Sequence, residues 1–280
     1  MPLDVNGREI NSTNYEHSTE PNLNDLHKAM QYNTDGEPEI RVTLGQTVSN
    51  ADWYLQVALG KVTGATAVFK AGYNGSISST EESLWGHSNA YPWSSWGSGG
   101  TLSCVSTSAS DTGSLHITGL RASDWVEIEE DITLNGLTPV VTTNSFIRIN
   151  NLHYFNTTSN VGEIDVNRNG VTVGHLEPGF GQAQMAQYTV PAGHTAYILS
   201  GSANMGKGND GTGKFKYRIY GSNFQTAMTF LLYQSTFNYD FKAPLALPEK
   251  SDIDVTMIAS NSNTPATCAY SMIIIDNSVI

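Results

Sequence analysis

Two cysteines in 280 residues, Cys104 and Cys268, are too few for a disulfide framework. Both lie in strand-like runs and read as buried free thiols, which pack as small apolar side chains. Charge is also scarce, at 14 % of residues, and positive charge most of all: 14 Lys and Arg stand against 26 Asp and Glu, a net −12. That deficit argues against a nucleic-acid phosphate backbone as partner. It suits a soluble surface that resists non-specific association. No apolar run approaches the ~18 residues that span a membrane, and the opening MPLDVNGREINS is too polar for the apolar core of a signal peptide. Beyond residue 40 no long segment keeps a 3.6-residue period, which leaves little room for helices.

What the chain does have is strands and turns. In Gly113–Asn150, Val126, Ile128, Ile132 and Leu134 alternate with Glu127, Asp131 and Thr133, the period of a strand with one buried face. Glu130 falls on the apolar parity, so a bulge or strand end is expected there. Asn135-Gly136 supplies a turn, Pro139 delays the next strand, and Phe146, Ile147 and Ile149 carry it. Later, Asn169-Gly170 predicts a tight hairpin. Pro191-Ala192-Gly193 predicts another between Tyr188–Val190 and Thr195–Leu199. Phe215, Tyr217 and Ile219 alternate with Lys214, Lys216 and Arg218, and Ile253, Val255 and Met257 with Asp252, Asp254 and Thr256. Many short strands at near-regular spacing predict an all-β fold, an antiparallel sandwich or jelly roll over 41–280, with a possible split near 100–112. Leu115, Ile117, Val126, Ile128, Ile132, Phe146, Ile164, Phe215, Tyr217, Ile219, Val255 and Ile274 are expected to be mostly buried.

Residues 1–40 differ from the rest. Eight acids against Arg8 and Lys28 give −6, half of the chain's net charge. Leu23, Leu26 and Met30 hint at one short helix, and otherwise apolar residues are too sparse for a core. The expectation is an extended acidic arm that orders on a partner, with those three residues as contacts. Residues 74–100 are rich in Gly and Ser and contain Trp85, Tyr91, Trp93 and Trp96. Such aromatics either stack on glycans or pack their loop onto the domain or a neighbouring subunit. Interface contact is the expectation for these four.

Several chemical motifs fail on context. Gly208 to Lys214 fits part of a phosphate-binding loop, but Phe215 stands where Ser or Thr is required and a strand pattern follows. Asp165 to Gly170 opens like a calcium loop, yet the twelfth position is Leu176. The seven histidines lack metal-ligand spacing, and no nucleophile motif occurs. Paired carboxylates for glycoside cleavage leave open a glycan-cleaving sandwich as a lesser alternative. The expectation is no enzyme: no catalytic residue, no cofactor and no metal.

Three blocks resemble a known family. Gly119-Leu120, Glu127, Asp131 to Val140 and Phe146 to Ile149 form the first. Thr189 to Tyr197 forms the second, and Ser251 to Val255 with the late Ile-rich strand forms the third. Together they resemble the virion structural proteins of tailed phages, particularly of marine bacteria, over roughly residues 100–280. The resemblance implies a virion component assembled in the host cytoplasm, with the major capsid protein and its own copies as partners. A capsid decoration or cement protein, a homotrimer bridging capsomers, is the leading expectation. The alternative is a tail-associated adaptor or a glycan- or receptor-binding protein.

Overall fold

The computed structural model describes residues 30–32, 38–40, 53–206, 210–233 and 236–279. The chain divides into two units, 1–56 and 57–280. In the first, β1 (Met30–Tyr32) pairs antiparallel with β2 (Pro38–Ile40). Met30, expected in a helix, therefore lies in a strand, while Leu23 and Leu26 lie outside the described residues. A six-residue helix, α1 (Trp53–Ala58), crosses the division.

The second unit is all antiparallel β and has two hydrophobic cores. The strands run in order β3 (Ala65–Ile77), β4 (Glu82–Ser83), β5 (Ser103–Ser106), β6 (Ser114–Arg121), β7 (Glu127–Thr133), β8 (Val140–Val141), β9 (Phe146–Phe155), β10 (Ile164–Arg168), β11 (Val171–Leu176) and β12 (Tyr188–Thr189). Then come β13 (His194–Met205), β14 (Asp210–Arg218), β15 (Gln225–Tyr233), β16 (Phe237–Leu247), β17 (Asp252–Ala259) and β18 (Thr264–Asp276). One sandwich faces the sheet β16-β13-β18-β3 with β12-β17-β14-β15, where β4 also pairs with β17. Its core includes Ile77, Ile198, Phe215, Val255 and Tyr270. The other sandwich faces β7-β6-β9 with β11-β10-β5-β8 around Leu115, Ile117, Phe146, Leu152 and Ile164. The chain leaves the first sandwich after Leu84, builds the second from Trp85 to Met185, and re-enters the first at Ala186. The change of core thus falls at these two crossings.

Turn chemistry explains much of the path. Asn169 and Gly170 both take positive φ (50° and 78°) and close the β10–β11 hairpin. Pro191 to Gly193 also turns the chain, with Gly193 at φ 75°, but it does not close a hairpin. Strand β12 pairs with β17, while β13 pairs with β16 and β18, so this turn carries the chain from one sheet to the other.

Two members of the expected core are exposed. Val126 precedes β7 and lies outside its ladder with β6, at the edge of the sheet. Ile219 lies past the last paired residue of β14, Arg218, and so has no opposing sheet. Ile128 and Tyr217 are half-buried, and the other eight are buried. No bulge interrupts β7 at Glu130. Its carboxylate instead accepts the N–H groups of Thr143 and Asn144, at 2.6 and 2.9 Å, which makes an acid on the apolar parity tolerable. Both cysteines are buried and free, and burial pushes each thiol up to about 12.

Candidate functional site: a charged joint beneath an aromatic cleft

Strand β17 alternates apolar and polar residues, yet both of its faces are buried. Ile253, Val255 and Met257 enter the first core, and Asp252, Asp254 and Thr256 are only 3, 4 and 2 % exposed. The polar face is covered from both sides, by Arg148 and Trp93 of the second sandwich and by groups of the first, and a paired network joins the two bodies.

Asp252 is its centre. Arg148 on β9 donates through Nε (2.9 Å) and Nη2 (3.2 Å) to the two carboxylate oxygens. Arg218 on β14 donates through Nε at 2.9 Å and also through Nη2, and the Thr189 hydroxyl adds a bond at 2.7 Å. A carboxylate so supplied stays stable inside the protein, where an unpaired one would not. Asp254, two residues on, accepts Trp93 Nε1 (3.0 Å), Ser83 Oγ (3.0 Å) and Gln187 Nε2 (2.7 Å). Burial raises its pKa, and these donors pull the other way. Beside them the Asn150 amide accepts the Thr189 N–H at 2.9 Å and donates to the Thr189 carbonyl at 3.0 Å, standing in for a strand partner across the joint. Lys70 Nζ donates to the Asn150 carbonyl at 2.5 Å. Arg148, Thr189 and Asp252 come from the three separate sequence blocks singled out above, and they meet on one carboxylate.

Above this joint opens a cleft of about 270 Å³, lined by Trp93, Trp96, Trp125, Tyr220, Ser222 and both arginines, with Asp252 also contributing. Its walls form a ladder of rings and cations. The Arg148 guanidinium carbon lies 5.1 Å from the Trp125 ring and 5.5 Å from Trp93, and that of Arg218 lies 5.6 Å from Trp93 and 4.6 Å from Phe224. Trp125 is held at φ +65°, which is rare for a bulky side chain.

The aromatic loop is divided by this arrangement. Trp85, Tyr91 and Trp96 are inside the second core, at 2, 4 and 1 % exposure, and therefore pack their own domain instead of offering a contact surface. Gly99 permits the close fit: a Cβ there would meet the Phe146 carbonyl oxygen at 2.5 Å. Trp93 alone of the four expected contacts is half-buried at the cleft. Trp125, Arg148, Arg218 and Tyr220 escaped the sequence reading. Arg148 and Arg218 sit at strand parities that a one-dimensional pattern assigns to a solvated face. Among the described residues no group of three His, Cys, Asp or Glu side chains is placed to hold a metal. The cleft offers planar faces and N–H donors, the chemistry of recognition.

No family model matches the chain, and no curated protein does. Among solved structures it matches the infectious bursal disease virus Gt strain at 9 % identity, covering 78 % of this chain and 74 % of that one, with a TM-score of 0.21. It also matches the VP2 subviral particle of infectious bursal disease virus at 8 % identity, covering 78 % and 73 %, with a TM-score of 0.20. At these scores the likeness carries no argument about what the chain does.

Proposed function

We propose that the chain is a non-enzymatic structural component of a virus particle, most specifically a decoration or cement protein on the head of a tailed phage. One observation carries this reading: the three blocks that resemble virion proteins of tailed phages converge, as Arg148, Thr189 and Asp252, on the joint that fixes two sandwiches in one body. What those blocks build is a subunit of two cores tied by buried hydrogen-bonded charges, which suits a surface protein under outward pressure. As a decoration protein it would associate with its own copies, as a trimer, and with the major capsid protein. It would add interface area across capsomer boundaries, above roughly 1,000 Å² per stable contact. The test is absolute quantification of the chain in purified particles and in separated heads and tails. Hundreds of copies co-fractionating with heads are expected. A dozen or so with tails would move it to the tail-adaptor class, and absence from particles would overturn the reading.

A further inference from the structure

We propose that the cleft between Trp93, Trp125 and Tyr220 is a binding site for a carboxylate-bearing sugar, a uronic or sialic acid unit of an acidic glycan. The inference goes beyond the particle role and holds for a head or a tail location.

Four observations carry it. The volume, about 270 Å³, falls just under the roughly 300–1,000 Å³ of small-ligand sites, which suits a single small unit and not a long chain. Trp93 and Trp125 both present rings at the cleft, and the C–H face of a pyranose is apolar enough to desolvate against a flat indole. The lining holds two guanidiniums and one carboxylate, an excess of positive charge in a chain of net −12. Arg218 spends Nε and Nη2 on Asp252, and its Nη1 has no protein partner among the described residues. That leaves planar N–H donors for a ligand carboxylate. Finally, Trp125 in the lining is held at φ 65°, and Lys250, outside the lining at φ 61°, sets its ammonium 5.6 Å from the Tyr220 ring. Strained backbone of this kind persists where the surroundings impose it, and it clusters at ligand clamps.

A joint that served cohesion alone would need neither the spare Nη1 nor an open aromatic mouth. Nucleic acid would meet the surrounding negative charge, and a single carboxylate on a ring avoids most of that repulsion.

The experiment titrates the full chain with glucuronic acid, N-acetylneuraminic acid and glucose, reading the indole N–H signals of its five tryptophans by NMR. At least one of the two acids should shift the Trp93 and Trp125 signals saturably, with a dissociation constant of about 1 mM or tighter. Glucose should bind at least ~10-fold more weakly, and the buried Trp85 signal should stay in place. Trp125→Gly removes one wall and relieves the positive φ, and Tyr220→Ala removes an exposed ring that no core needs. Each should weaken acid binding severalfold, with the far-UV circular dichroism unchanged for Tyr220→Ala. No saturable shift with either acid, equal binding of glucose, or binding untouched in Tyr220→Ala and Trp125→Gly would overturn the proposal.

Discussion

Lys70 shows how a single buried charge couples this protein to pH. Its side chain is buried, its ammonium donates across the joint to the Asn150 carbonyl, and burial lowers its pKa from 10.5 to about 7, with Cys268 opposing weakly. Below pH 7 both the folded and unfolded chains hold the proton, so this residue adds no slope, and the fold carries the cost of a buried cation. Between pH 7 and 10.5 the unfolded chain holds one proton more, so stability rises with pH, by at most about 1.4 kcal/mol per pH unit. Above 10.5 the contribution is flat again. Lys70→Met should remove that rise. Urea unfolding midpoints of both proteins, compared from pH 7 to 10, would show parallel lines if Lys70 has no such role. The neighbouring ion pairs are of another kind. Asp252 keeps Arg218 and Thr189 if Arg148 is lost, so its carboxylate stays paired, but both of those lie in its own sheet and its link to β9 goes with Arg148.

At the scale of elements, the close passage of β6 and β9 deserves most weight. Their register shifts between Thr118 and Gly119, next to the partner residues Ile149 and Arg148. A Cβ on Gly119 would lie 2.4 Å from the Arg148 carbonyl oxygen and 2.8 Å from the Phe146 ring. The first atom is backbone and cannot step aside, so the glycine at the head of the first resemblance block is a packing requirement. Gly119→Ala should therefore destabilise by about 1–3 kcal/mol, the usual range for overpacking. A lowered urea midpoint with unchanged strand content would show it, and an unchanged midpoint would mean that β6 and β9 separate at little cost. Strand β14 makes a related point. Its Lys214 and Lys216 ammoniums both reach Glu81, at 2.6 and 2.8 Å, so the face that alternation marks as solvated is a ligating face. Burial alone would raise the Glu81 carboxyl, but bonds from Lys214, Lys216 and Thr256 outweigh it and bring it down to about 2.

For the whole molecule, the decisive fact is that, among the described residues, the buried members of both cores all come after residue 56. Their buried members run from Ile77 to Ile274 in one and from Trp85 to Met185 in the other. Removing residues 1–40 should leave the thermal transition of the body unchanged within a degree or two. The acidic balance of that segment, −6 over forty residues, would suit a basic partner surface, and forty extended residues reach up to ~130 Å. We expect the truncated chain to fold but to bind particles lacking it more weakly than the full chain, with less dependence on salt. Co-sedimentation at low and high salt measures this, and equal, salt-independent binding of both forms would show that the segment contributes nothing.

By itself the sequence determined the class of fold, because its signals are local. Period-2 alternation, Asn169-Gly170, Asn135-Gly136 and the absence of a 3.6 period each act within a few residues, and all appear in the structure as strands and turns. The two free thiols followed from composition in the same way. Tertiary structure alone decided that there are two cores, that Pro191 to Gly193 crosses between sheets, and that Asp252 and Asp254 lie inside. The reason is that alternation shows which residues share a face of a strand and leaves open what that face meets. A row of Asp and Thr on β17 reads as solvated until Arg148, Arg218 and Trp93, brought from 34 to 161 residues away, cover it. The cleft is invisible in one dimension for the same reason: its rings and guanidiniums come from four distant segments and become a site when the sandwiches close on each other.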